Sequence, residues 1–103
     1  MINSNLNIPR EKIADFCRRR QVKRLSLFGS ATRADFRADS DVDVLIEFDD
    51  KARATLLDLV DIQDELSDLF GNRPVDVATP SILRNPFRRR TILRDLQTIY
   101  GPN

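Results

Sequence analysis

The spacing of hydrophobic and polar positions changes along this chain, and each change marks an element. Residues 9–20 place Ile13, Phe16 and Cys17 on one helical face, with Pro9 at the first helical position and Arg18-Arg19-Arg20 closing the helix where cations meet the negative end of its dipole. A solvated helix end is the plainer reading of that triplet. Val22–Phe28 switches to the period of a strand, with Leu25 and Leu27 on one face and Ser26 and Phe28 on the other, so that both faces are at least partly covered. Gly29 ends that strand, and residues 30–34 predict a short helix. Val42–Phe48 predicts a second strand, and Asp49-Asp50-Lys51 a charged turn.

The helical period returns over residues 54–70, where Leu56, Leu59, Val60, Leu66, Leu69 and Phe70 form a stripe. Thr55 and Asp58 make a loose capping box at its start, and Gly71 suits a left-handed end. Residues 74–78, PVDVA, predict a short third strand that tolerates Pro74 only at its start or on an edge. Asn85 as cap and Pro86 at the first position begin a last helix over residues 86–100, with Ile92, Leu93, Leu96, Ile99 and Tyr100 along one side. Helices alternating with three strands or slightly more predict an α/β (α+β) fold. Residues 1–103 read as one domain, without repeats or linkers.

Composition narrows the classes. With 17 Lys+Arg against 16 Asp+Glu the chain is nearly neutral, which argues against a general nucleic-acid binder and for no direct nucleic-acid partner. No apolar run approaches the roughly 20 residues of a membrane span, and the first residues lack the pattern of a secretory signal, so a cytoplasmic address is expected. One cysteine and no histidine leave no internal disulfide and no zinc site of usual composition.

The chemistry concentrates in the stretch from Leu25 to Phe48 and in one later residue. Asp41 and Asp43 are two apart, so on a strand they point to one face with Cα atoms about 6.6 Å apart, and Val42, Val44 and Ile46 point the other way and bury. Two such carboxylates suit a small hard cation such as Mg²⁺, with water and phosphate as further ligands. A merely polar turn is the alternative for Asp-Ser-Asp. Asp76 lies between Val75 and Val77, where an unpaired buried charge would cost several kcal/mol and so would require a partner. That partner is either a metal ion, giving a third carboxylate to a two-metal site, or Arg33, Arg37 or Arg73. Gly29 lets backbone approach a phosphate, Ser30 adds a hydroxyl, and Arg33 one turn on offers a forked guanidinium. GSATR, then SDVDV, then PVDV is specific in combination.

With these motifs the sequence resembles the nucleotidyltransferase superfamily of DNA polymerase β-like fold, and within it the minimal nucleotidyltransferases, the MntA-type antitoxins paired with HEPN-domain toxins. The resemblance covers nearly the whole chain and implies a small mixed sheet flanked by helices. It implies that Asp41, Asp43 and Asp76 bind two Mg²⁺ with ATP, and that Asp76 helps deprotonate the attacking hydroxyl. Gly29 and Ser30 would hold the β- and γ-phosphates, with Arg33 and Ser40 also on the nucleotide. The implied reaction moves AMP from ATP to a tyrosine of a HEPN-type ribonuclease toxin and silences it. Arg88-Arg89-Arg90 and Arg94, opposite Leu93, Leu96 and Tyr100, are then expected to touch that partner, with a solvated face as the plainer alternative. Two other functions stay open: neutralisation by binding alone, and transfer to a small molecule, for which the additional helical domain is absent here.

Overall fold

The computed structural model describes residues 6–33, 40–52 and 54–102. Its order is α1 (Arg10–Arg19), β1 (Val22–Phe28), a 3-10 turn (Gly29–Thr32), β2 (Val42–Phe48), α2 (Leu56–Leu69), β3 (Val75–Ala78), a second 3-10 turn (Pro80–Arg84), α3 (Pro86–Asp95) and β4 (Gln97–Tyr100). The sheet has the order β3-β2-β1-β4. β1 runs antiparallel to β2 and to β4, while β2 and β3 are parallel. This is the mixed sheet flanked by helices that the sequence predicts. Among the described residues no helix is long and apolar enough to cross a membrane.

The two faces of the sheet bury different sets. On one, Ile13, Phe16 and Cys17 of α1 and Ile62 and Leu66 of α2 pack over Leu25, Leu27, Val42, Val44 and Ile46. On the other, Phe28 and Leu45 meet Ile92 of α3, with Ile82, Leu83 and Ala78 at the margin. Burial pushes the Cys17 thiol up to about 12, so it packs as a small hydrophobe rather than serving as a nucleophile.

Several local expectations hold. Thr55 and Asp58 form a reciprocal capping box on α2. Gly71 follows α2 with φ +78°, the left-handed conformation glycine adopts without penalty. Asn85 accepts from the amides of Phe87 and Arg88 at the start of α3. Others shift. Pro9 is the N-cap of α1 rather than its first helical residue. The short helix expected at 30–34 is the 3-10 turn Gly29–Thr32. Arg19 and Arg20 are more than a solvated helix end, since both bond Glu65 of α2 and tie the two helices together.

The larger correction is at the end of the chain. The last helix stops at Asp95, Leu96 turns to extended backbone (φ −61°, ψ 127°), and Gln97–Tyr100 forms β4 on the free edge of β1. Ile99 and Tyr100 therefore lie on a strand. The helical period fits these residues equally well, but β1 would otherwise leave a row of amides and carbonyls unpaired. The α2 stripe also divides: Leu56 and Val60 are 81% and 58% exposed, with Leu57 beside them at 79%, and full burial begins only at Ile62.

Candidate active site

The site forms where β1 ends beside the beginning of β2. Phe28 pairs with Asp43, so the backbone that turns away after β1 does so against that carboxylate. Gly29 makes the turn with φ +71°, and a Cβ there would overlap the Asp43 carboxylate, so both conformation and space require glycine. Thr32 donates its hydroxyl to the Gly29 carbonyl at 2.9 Å, and the Arg33 amide donates to the Ser30 carbonyl at 3.0 Å. These bonds close the 3-10 turn and fix Ser30, which is half-buried at its start. Ser40 is also half-buried, two residues before β2.

Asp43 and Asp76 are register partners on the parallel strands β2 and β3. Neighbouring strands are about 4.8 Å apart and paired residues share a face, so the two carboxylates converge. Asp41 precedes β2 and is exposed, whereas Asp43 is half-buried. Val42, Val44 and Ile46 are fully buried on the opposite face, as the alternation requires. The argument from burial at Asp76 does not survive, because Asp76 is exposed. Its two valine neighbours face the core while it faces outward, and what brings it to the site is its register with Asp43. Of the arginines considered as its ion-pair partner, Arg33 donates to Asp95 at 3.3 Å, and Arg37 lies outside the described residues.

The Asp43 carboxyl is held above the ordinary range, first by burial, then by the charges of Asp76 and Asp41, with Arg88 and Arg33 opposing the rise. Crowded carboxylates of this kind are short of positive charge, and their hard oxygen atoms fit a divalent cation such as Mg²⁺. Among the described residues no three carboxylates cage an ion by themselves. Such a cation would complete its shell with water and substrate phosphate, as Mg²⁺ commonly does.

One residue of the site is absent from the sequence reading. Asp95, near the end of α3, is buried with its side chain 8% exposed, and accepts from Arg33 and from Arg94. Hydrogen bonds from Arg94, and then the charges of Arg94 and Arg33, hold its carboxyl below the usual range. It lies 62 residues from Arg33, so no local motif marks it; a carboxylate on the helical face of Ile92 was the available signal.

The profile of the nucleotidyltransferase domain matches residues 10–99. A protein of Methanocaldococcus jannaschii is 36% identical over 76 residues, 74% of this chain and 74% of its own. The protein adenylyltransferase MntA of Thermococcus cleftensis is 33% identical over 75 residues, 73% of this chain and 72% of its own. Among solved structures, a toxin-antitoxin with AMP-PNP superposes with a TM-score of 0.70 at 16% identity, over 93% of this chain and 76% of that one. A complex of tri-AMPylated Shewanella oneidensis HEPN toxin with MNT antitoxin gives 0.61 at 15% identity, over 90% and 70%. At such identities these two structures speak for the fold.

Proposed function

We propose that this chain, which belongs to the nucleotidyltransferase domain family and is a nucleotidyltransferase, is a cytoplasmic antitoxin that moves AMP from ATP to a tyrosine hydroxyl of a HEPN-type ribonuclease toxin. The observation that carries the reading is the pairing of Asp43 with Asp76, flanked by Asp41 and set against the Gly29 turn. A protein as acceptor is supported by the relationship to a protein adenylyltransferase. The toxin is supported by likeness to complexes that hold AMP-PNP or a tri-AMPylated HEPN toxin.

In this mechanism Asp41, Asp43 and Asp76 would hold two Mg²⁺ together with the triphosphate. Held there, the ions would supply neutralisation of phosphate charge and a lowered pKa for the attacking hydroxyl. Gly29 gives the β- and γ-phosphates close access to backbone, and Ser30, Ser40 and Arg33 donate to phosphate oxygens. The tyrosine oxygen attacks the α-phosphorus, a new P–O bond forms, and the bond to the bridging oxygen breaks to release pyrophosphate. The hydroxyl proton passes to Asp76, whose exposed position leaves it open to an incoming group.

A second reading, neutralisation by binding alone, draws on the exposed Leu56, Leu57 and Val60 of α2. Large apolar side chains grouped in water mark a contact surface. One experiment separates the two. The chain and its HEPN-domain partner are incubated with α-labelled ATP and Mg²⁺, beside an Asp41→Ala/Asp43→Ala variant. Label on the partner that is lost in the variant, together with loss of neutralisation, is the expected result. Neutralisation by both forms without label would overturn the catalytic reading.

A further inference from the structure

The element order makes α3 part of the site. β3 and β4 are opposite edges of the sheet, and α3 joins them in the chain. It therefore crosses the sheet, on the face that carries Phe28 and Leu45, where Ile92 is anchored. Asp43 shares that face with Leu45, two residues on along β2. The two buried residues of α3 are Ile92 and Asp95. Counting back one turn from Ile92 reaches Arg88, so Arg88, Ile92 and Asp95 form one stripe at the spacing i, i+4, i+7. Its middle member seats the helix on the sheet, and its last holds Arg33. Its first, Arg88, is exposed at the surface, and its charge acts on Asp43 through space. Arg89 and Arg90 follow at about 100° and 200° around the helix and leave this stripe.

From this arrangement we propose that Arg88 is a phosphate-binding residue of the nucleotide site, contacting the β- and γ-phosphates that leave as pyrophosphate. The triplet Arg88-Arg89-Arg90 is then two functions rather than one basic face: Arg88 belongs to the nucleotide, and Arg89 and Arg90 do not. The physical need is plain. A triphosphate brings several negative charges to a place where three carboxylates already gather, and Arg33 is partly engaged by Asp95. A second guanidinium on the sheet-facing stripe of α3 supplies charge and a forked donor pair where the phosphates would lie. The inference rests on reading the site as a nucleotide site.

Calorimetric titration of the full chain with Mg²⁺ and three probes, AMP-PNP, inorganic tripolyphosphate and AMP, tests it. Arg88→Ala is expected to weaken AMP-PNP and tripolyphosphate by about tenfold or more, the usual effect of losing a hydrogen bond to a charged group. Binding of AMP, which lacks the leaving phosphates, stays within about twofold of wild type, as do all three probes on Arg89→Ala and Arg90→Ala, in keeping with the small effect of exposed charges. Arg88 is exposed, and an unchanged melting temperature is the check that the variant folds. Unchanged AMP-PNP binding in Arg88→Ala, or equal losses in all three variants, would overturn the assignment while leaving the nucleotide site in place. Failure of the wild-type chain to bind AMP-PNP would overturn the nucleotide reading and this inference with it.

Discussion

Asp43 shows how a crowded, half-buried carboxylate is made from ordinary parts. Its strand neighbours bury on the far face, its register partner is another aspartate, and the residue opposite it precedes a glycine with no side chain to block the approach. Burial and like charge raise its pKa in the fold above its unfolded value. The sign for stability follows. Above the ordinary aspartate range the unfolded chain carries this charge freely while the folded chain resists it, so the charge opposes folding at neutral pH. Asp43→Asn is therefore expected to raise the melting temperature of the metal-free chain at neutral pH. The gain should vanish below the ordinary aspartate pKa of about 3.9, where both states hold the proton. The same substitution should lower AMP transfer by roughly 10²–10³-fold, the loss typical of one preorganised electrostatic group. Melting curves with a chelator at neutral and acid pH, beside the labelled-ATP assay, check both halves. A lower melting temperature at neutral pH would contradict the argument.

At the scale of elements, α3 is informative because its sequence misleads. Its apolar residues suggest a helix with a broad hydrophobic side, yet Leu93 is 45% exposed while Asp95 is buried. The reason is the site. Asp95 accepts from the Arg33 guanidinium, while the Arg33 amide closes the turn after β1 on the Ser30 carbonyl. Asp95→Asn should destabilise the chain by about 1 kcal/mol at neutral pH, a modest value because both arginine partners are largely in water. Its depressed pKa means that this contribution is present above the unfolded value and lost as pH falls through the folded one. If the carboxylate acts by positioning Arg33, Asp95→Asn raises the KM for ATP in the wild-type background and adds nothing to Arg33→Ala. Independent, additive losses in that double-mutant cycle would mark Asp95 as merely structural.

The two ends of the sheet carry different surface features. α2 leaves the end of β2 and returns to the start of the parallel strand β3, so its first turn lies at the end of the sheet remote from Asp43. There Leu56, Leu57 and Val60 stay in water, followed along the helix by Asp61 and Asp64. A partner that places a hydroxyl over the Asp43 end and also covers this patch would grip the chain at both ends. Leu57→Asp with Val60→Asp is expected to weaken binding of the HEPN-domain partner by about tenfold or more, as loss of buried apolar anchors does. Binding of AMP-PNP should be unchanged. Unchanged partner affinity in a titration would show that the patch lies outside the interface.

Local chemistry settles the features that the sequence alone determined. The strand alternation of 42–46, the caps at Thr55 and Asn85, the glycine stops at 29 and 71 and the motif carrying Asp41 and Asp43 all depend on neighbours a few residues away. The tertiary structure decided what depends on distant partners. It made residues 97–100 a strand, because β1 had an edge to pair. It brought exposed Asp76 to Asp43 by parallel register rather than by burial. It turned Asp95 toward Arg33, because Ile92 seats α3 across Phe28 and Leu45. A helical or strand period records which residues share a face, but only the assembled sheet fixes what that face meets.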